Sequence, residues 1–283
     1  MDPFSEPPRT PVSVVLPDPP RKRRTGRLIA VAVVAAVVIG GVVFAVTRED
    51  DAETFSLTAA DGAISDVKTM TFSTTTEGFG NEISAAVETD IERELLHITM
   101  DLGSEIFGIG GEIEMIVDLD KSVTYTNNSF FERLGLSLDT EWLSMDAEWF
   151  AANGQDSVFN VQAVADPLDA ALVLEKAIKT EEVGFDEVNG LKVKHYRVTF
   201  RGEDVFEANG QLESQLANLD GEIPEEVVYD FYIDEQNLIR RVSYEVDVGP
   251  GEVSTDIVVL TINEPVNIEI PDEEDVTDAI DFL

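Results

Sequence analysis

Two histidines, His97 and His195, are the side chains in this sequence whose charge changes most readily near neutral pH. Both fall in segments that predict strands, and a half-exposed strand position explains His195 without a function. A hydrolase would need a cleft in which one of them meets a serine and a carboxylate. The chain has no cysteine, and it contains no G-x-S-x-G, H-E-x-x-H, phosphate-loop or G-x-G-x-x-G motif. We therefore predict a protein that is not an enzyme and uses no cofactor.

Carboxylates are the most abundant reactive groups. The chain has 57 Asp and Glu residues, and 54 of them lie after residue 47. Of the 19 Lys and Arg residues, 13 lie there, so this part of the chain has a formal net charge of −41. Paired acids then occur by chance and do not indicate a glycosidase. Asp118-Leu-Asp120 resembles the start of a calcium loop but lacks its glycine and closing glutamate, so we interpret it as a solvated turn. We predict no metal site, and no nucleic-acid partner because phosphates need basic patches.

Residues 28–46 form an uncharged, apolar run of the length that spans a bilayer as a helix. A basic cluster precedes the run and acidic residues follow it, which predicts a cytoplasmic N-terminus and an extracytoplasmic remainder. A cleaved signal peptide is the alternative, although its apolar core would be long and no clean A-x-A site follows. We predict a single-pass protein of the cell membrane.

The anchor divides the chain into five parts. Residues 1–27 hold seven of the 12 prolines in their first 20 positions and predict a disordered, Pro/Arg-rich cytoplasmic tail. Residues 28–46 are the transmembrane helix and 47–53 a linker. Residues 54–271 predict one extracytoplasmic domain, and 272–283 an acidic tail.

Periodicity predicts the architecture of that domain. Residues 52–67 carry apolar side chains at helical spacing, and from residue 68 the apolar period changes to two. The predicted order is helix, four or five strands, helix, two strands, helix and three strands, which argues against a parallel sheet. The prediction is an α+β protein: an N-terminal transmembrane helix followed by one curved antiparallel half-barrel sheet with helices on its concave face.

Three local patterns resemble a known family. The first is Pro167-Leu-Asp with Val183-Gly-Phe-Asp-Glu-Val-Asn-Gly190 and Lys194-His-Tyr-Arg-Val-Thr-Phe200. The second is the hairpin from Val228-Tyr-Asp to Leu238-Ile-Arg-Arg241, and the third is the ending Leu260-Thr-Ile-Asn-Glu-Pro-Val-Asn-Ile-Glu-Ile-Pro271. Together they resemble the LppX/LprG-type envelope lipoproteins of high-GC Gram-positive bacteria, in the wider LolA/LolB-like group. The resemblance covers roughly residues 54–279 and implies a half-barrel that binds acyl chains and catalyses no reaction. The family's lipidated cysteine is absent here, which puts a freely diffusing role in doubt.

Apolar strand faces are the candidate wall of a lipid cavity, since such a cavity needs few charges. Methionine suits variable acyl chains because it is flexible. The alternative for each strand residue is an ordinary sheet–helix core. The aromatic segment 130–150 predicts a lid or a cap over a sheet edge. The candidates are Met70, Phe72, Leu96, Ile98, Met100, Ile113, Met115, Val117, Trp142, Phe150 and Leu172.

Two functions follow from these patterns. The first is a membrane-anchored protein that binds a lipid or lipid-linked molecule between sheet and helices, for holding or transfer in the envelope. The second is a non-lipid interaction or sensor domain with an envelope protein as its partner. A cavity favours the first, and a filled core with an exposed aromatic patch favours the second.

Overall fold

The structure, a computed structural model, describes residues 54–78, 80–103, 111–133, 138–146, 176–208, 223–247 and 251–282, with residues 135, 149 and 174. Three α-helices are described: α1 (Leu57–Ile64), α2 (Asn128–Arg133) and α3 (Gly202–Ala208). Twelve strands make up the sheet: β1 (Thr69–Gly78), β2 (Asn81–Asp90), β3 (Leu95–Asp101), β4 (Glu112–Asp118), β5 (Val123–Asn127), β6 (Trp142–Asp146), β7 (Lys179–Val188), β8 (Leu191–Arg201), β9 (Glu226–Ile233), β10 (Ile239–Asp247), β11 (Glu252–Ile262) and β12 (Val276–Asp278).

All twelve strands belong to one open, curved sheet in the order β12-β6-β5-β4-β3-β2-β1-β11-β10-β9-β8-β7. Every pair is antiparallel except β12 with β6. The pairing of β1 with β11 joins the N-terminal and C-terminal groups of strands, and its register runs from Met70 opposite Ile262 to Gly78 opposite Val253. This architecture is consistent with the predicted half-barrel.

The predicted Asn-Gly hairpin is confirmed between β7 and β8. Asn189 and Gly190 both have positive φ, 52° and 79°. Positive φ at both central residues defines a type I′ turn, whose twist matches that of the strands it joins.

Helix α1 lies where the first helix was predicted. Two long-range hydrogen bonds hold its start against the sheet. The Ser56 backbone N–H donates to Asn237 Oδ1 at 2.7 Å, and the Tyr196 hydroxyl donates to the Phe55 carbonyl at 2.7 Å. Leu57 and Ala60 then pack on strands β8 to β10. We call the face of the sheet that α1 contacts the inner face.

Two predicted segments have a different structure. The aromatic segment contains a strand, β6, because Trp142 and its neighbours pair with β5 on one side and with β12 on the other. The predicted acidic tail supplies that second partner, and its other residues form short 3-10 turns. Backbone pairing at the sheet edge, which no local pattern encodes, accounts for both differences.

Other predictions lie outside the described residues. These are the cytoplasmic tail, the transmembrane segment and the linker in 1–53, and most of the helix predicted over residues 167–180, of which Leu174 is described as helical whereas Lys179 and Thr180 belong to β7. Of the helix predicted around 204–219, the described part is α3, and its Val205 packs against the inner face.

Gly103 and Gly190 offer a matched test of the fold. Both have positive φ, but a Cβ at Gly103 would lie 2.6 Å from the Glu82 carbonyl oxygen, whereas one at Gly190 meets nothing within 4 Å. We expect Gly190→Ala to lower the free energy of unfolding by about 1–2 kcal/mol, through backbone strain alone. Gly103→Ala should lower it by roughly 3 kcal/mol, because the carbonyl must also move. Urea unfolding followed by circular dichroism measures both, and equal losses would contradict the predicted clash.

Candidate functional site

Eight of the eleven candidate residues meet in one buried cluster on the inner face. We call it the first inner cluster; it spans β1 to β4 and includes Ile257 and Val259 of β11. Direct cross-strand pairs build it, such as Ile98 opposite Met115 and Met100 opposite Ile113. The eight, each with 1–7% of its surface exposed, are Met70, Phe72, Leu96, Ile98, Met100, Ile113, Met115 and Val117.

Charge is sorted between the two faces of these strands. The inner-facing positions of β1 to β4 carry apolar residues or threonine, except at the β1–β2 turn, where they carry a glycine and an asparagine. None of these positions carries a charge. The outer-facing positions carry the acids, among them Glu88 and Glu114. Strict alternation places neighbouring residues on opposite faces. The inner wall is therefore apolar in a strongly acidic chain.

The other three candidates do not join this cluster. Trp142 lies on the outer face with Leu95, Ile116 and Ile268, under the chain that follows β11. Its neighbour Leu143 is the buried inner-facing residue of β6, opposite Thr126. Phe150 and Leu172 lie outside the described residues. From the aromatic segment, it is Phe130 on α2 that packs against the first inner cluster.

A second inner cluster covers β8 to β10. Tyr196, Val198, Phe200, Phe231 and Val242 form it with α1 and α3, and Ile64 of α1 contacts both inner clusters. None of its strand residues was among the candidates. Their cross-strand register, which the sequence does not show, makes them continuous with the predicted wall.

Tyr229 and Tyr244 lie side by side within this inner wall. They are direct partners on β9 and β10, with ring centroids 4.7 Å apart. Burial raises the pKa of both hydroxyls well above the ordinary value, to about 12 for Tyr244, where a hydrogen bond with Thr255 opposes the shift. Both side chains nevertheless keep part of their surface accessible. Each of these side chains is therefore largely packed against protein and keeps a smaller part of its surface for contact with another group.

Both histidines lie on the outer face with carboxylate partners. His97 stands between Glu88 and Glu114, with nitrogen–oxygen distances of 3.4 and 3.1 Å. His195 Nε2 lies 2.6 Å from Asp230 Oδ1 and its ring stacks on Tyr232. These contacts are cross-strand pairs on a wet sheet face, and they need no catalytic role. In the described ranges, no group of three or more His, Asp or Glu side chains is placed to hold a metal ion.

Two further polar features lie away from the inner wall. An open pocket of about 390 Å³ at the β1–β2 turn is lined by Glu77, Glu82 and Glu252 with small residues. Asp118 is the last residue of β4, directly before the predicted turn, and it is buried rather than solvated. Its carboxylate accepts hydrogen bonds from the Lys121 backbone N–H and ammonium group. Neither feature provides an apolar surface for a lipid.

The fold is similar to that of two solved mycobacterial proteins. LprF from Mycobacterium bovis matches with a TM-score of 0.51 and 14% identity, over 76% of this chain and 94% of LprF. The lipoprotein LppX from Mycobacterium tuberculosis matches with a TM-score of 0.49 and 11% identity, over 75% of this chain and 96% of LppX. At such identities the likeness to LprF concerns the fold alone. The predicted LppX/LprG-type fold is confirmed.

No protein-family model matches the sequence, and the search of curated proteins gave no match. None of the helices in the described part of the chain is long and apolar enough to cross a bilayer.

The outer-face network around Asp230 predicts a pH dependence of stability. Burial of this carboxyl favours its neutral form, but hydrogen bonds from Arg197 and His195 outweigh that effect and lower the pKa of Asp230. A lowered pKa in the folded state adds stability above the unfolded value, near 4, and loses it as pH falls through the folded value. Asp230→Asn should therefore cost on the order of 1 kcal/mol at pH 5, since Arg197 is half exposed.

This cost should shrink as pH falls through the lowered pKa of folded Asp230, because the wild-type carboxyl then becomes protonated as well. Urea unfolding of both proteins between pH 2 and pH 5 measures it. Arg197→Gln is the control and should flatten the dependence in the same way. A cost that stays constant over this range would show that the ion pairs do not hold Asp230 charged.

Proposed function

We propose that the protein is a membrane-anchored, extracytoplasmic binding protein that takes up a lipid or lipid-linked molecule between its sheet and helices. It would hold or transfer that molecule in the cell envelope and catalyse no reaction. The observation that carries this proposal is the inner wall, where eight buried apolar side chains lie on strands that have no inward-facing charge.

The energetics of acyl chains suit such a wall. Each methylene group removed from water contributes about 0.8 kcal/mol, so even half of a long chain supplies several kcal/mol. Met100 and Met115 lie diagonally across β3 and β4 within the wall. Their unbranched side chains adapt to ligands of different shape. Tyr229 and Tyr244, which are largely packed against protein, keep part of their surface for contact with another group beside the wall.

The fold adds support of a different kind. The sequence resembles a family of acyl-chain binders, and the similar structure of LprF agrees with that resemblance in fold. Fold by itself does not determine function, so the charge-free inner wall has the greater weight.

We further propose that residues 28–46 anchor the protein as a single helix, with residues 1–27 in the cytoplasm. The uncharged run and its basic flank support this arrangement. Membrane lipid is then the first partner of the protein, and no nucleic-acid partner is expected from its acidic charge.

A second candidate function is an interaction or sensor domain for an envelope protein. The edge strand β7 favours it, since its residues are exposed from Lys179 to Glu187. Val183 and Phe185 on this strand are 52% and 59% exposed. Exposed strand edges can pair with an extended segment of a partner.

Photocrosslinking of the full chain in its membrane separates these candidates. A host fed a fatty acid that bears a diazirine incorporates it into its lipids, and the crosslinked peptides are mapped by mass spectrometry after irradiation. Lipid binding predicts labels on inner-facing residues of β3 and β4. Labels restricted to residues 28–46 would contradict the lipid function and favour the interaction domain.

Met115 and Ile116 provide a matched pair for the same assay. They are buried neighbours on β4 that face inward and outward. Met115→Gln puts an amide against the bound chain, at a cost of about 1–3 kcal/mol. We therefore expect crosslinking to β3 to fall about tenfold. Ile116→Gln should lower stability similarly but leave crosslinking unchanged. Equal effects of the two variants would mean that Met115 is ordinary core.

The anchor has its own test. The intact mass of the protein extracted from membranes should include residues 1–46, because no clean cleavage site follows the apolar run. A mass that lacks this segment would show that it is a cleaved signal peptide. That outcome would remove the anchor without affecting the inner wall.

A further inference from the structure

Four hydroxyl-bearing side chains stand in line across the inner face. Thr76 of β1 is the direct partner of Thr255 of β11. Thr255 is the partner of Tyr244 on β10, which in turn faces Tyr229 on β9. We call these four residues the hydroxyl row. It crosses the junction of the two groups of strands, so it exists only because β1 pairs with β11.

Three members of the row satisfy one another. Thr76 Oγ1 and Thr255 Oγ1 are 3.2 Å apart, and Thr255 also shares a hydrogen bond with the Tyr244 hydroxyl. Tyr229 ends the row, and its hydroxyl makes no hydrogen bond to any residue that the structure describes. The hydroxyl is not among the buried side-chain polar atoms that lack a partner, so it stays accessible and free to donate a hydrogen bond. The accessible part of Tyr229 leaves room for an acceptor from outside the protein.

The surroundings define what kind of acceptor fits. The next inward-facing residues on one side include Ile257, Val242 and Phe231, and on the other side Val246 and Val227. None of these side chains is a cation, so a phosphate or carboxylate would lose its hydration without a countercharge. An uncharged oxygen that accepts one hydrogen bond suits the site.

We propose that the hydroxyl row binds the carbonyl oxygen of an ester-linked acyl chain, with the Tyr229 hydroxyl as the donor. The carbonyl is the point at which an acyl chain joins its head group, so the chain extends from the row over the apolar wall. This inference rests on the proposed lipid function and names the chemical group of the lipid that the wall recognises.

The test uses the full chain in nanodiscs of phosphatidylcholine. One probe is a phosphatidylcholine with a diazirine in an ester-linked 16-carbon chain, and the other is the analogue in which both chains are ether-linked, so that it has no carbonyl. Each is present at the same fraction, and crosslinking to the inner-facing strands is quantified by mass spectrometry. Wild type should favour the ester probe about tenfold, the ratio expected for one hydrogen bond.

Two tyrosines on the same strand make a matched comparison. Tyr229→Phe should bring the ester-to-ether ratio close to one while it leaves crosslinking of the ether probe unchanged. Tyr232→Phe alters the outer face, where Tyr232 stacks on His195, and should keep the wild-type ratio. Tyr244→Phe is an inner control: it keeps the ring that packs against Tyr229 and removes a hydroxyl that is not the donor, so the ratio should stay well above one.

The outcomes are distinct. A wild-type ratio near one, or a tenfold ratio that persists in Tyr229→Phe, overturns the role of the hydroxyl row and leaves lipid binding intact. Absence of inner-face crosslinks with both probes overturns the lipid function and this inference together. If Tyr229→Phe fails to fold, wild type is labelled with an ester probe whose diazirine lies next to the carbonyl, and labels that avoid β9 and β10 overturn the inference.

Discussion

The pairing of β1 with β11 is the contact on which the rest of the structure depends. It joins residues that are nearly 200 positions apart in the chain and turns two groups of strands into one sheet. The first inner cluster needs it, since Ile257 and Val259 of β11 complete a wall that β1 to β4 begin. The hydroxyl row needs it as well, because Thr76 meets Thr255 across this boundary. Helix α1 gains from it a surface that spans both halves, and its Ile64 contacts both inner clusters.

A second constraint is the acidic charge of the chain. A domain with so many carboxylates can form a dry interior only if the charges are kept to one side of the sheet. Strand alternation does this at no cost, because every second residue faces outward. A mostly buried basic partner stabilises one of the buried acids, since Arg240 lies 2.6 Å from Asp234 in the β9–β10 turn. The inner wall is apolar as a direct result of this division.

The sequence was most informative where alternation was regular. The period of two in β1 to β4 identified eight residues that the structure places in one cluster. The Asn189-Gly190 pair identified the turn between β7 and β8. It was less informative at the sheet edge. Trp142 was interpreted as part of a lid or of a cap over a sheet edge, because aromatic residues dominate its segment. Its strand, however, is defined by pairing with β5 and with residues from the far end of the chain.

The tyrosine pair shows the same limit in the centre of the sheet. Strand β9 carries aromatic residues on both faces, with Tyr229 and Phe231 inward and Tyr232 outward. No local pattern distinguishes the inward pair. Only the register with β10 places Tyr229 directly opposite Tyr244. Tyr244 in turn lies opposite Thr255 on β11. The hydroxyl row is assembled from four strands and is therefore a property of the folded sheet. The sequence of each contributing strand shows only an ordinary alternation of inward and outward residues.

The proposed anchor and the proposed wall constrain each other physically. A linker of residues 47–53 spans at most roughly 25 Å when fully extended. The described chain starts beside it, where Phe55 is fixed by the Tyr196 hydroxyl and contacts the exposed ring of Phe185. Under this proposal, the start of the domain at Phe55 stays within roughly 25 Å of the membrane surface. A lipid would then move between bilayer and domain over a short distance, and diffusion of the protein away from the membrane is not required.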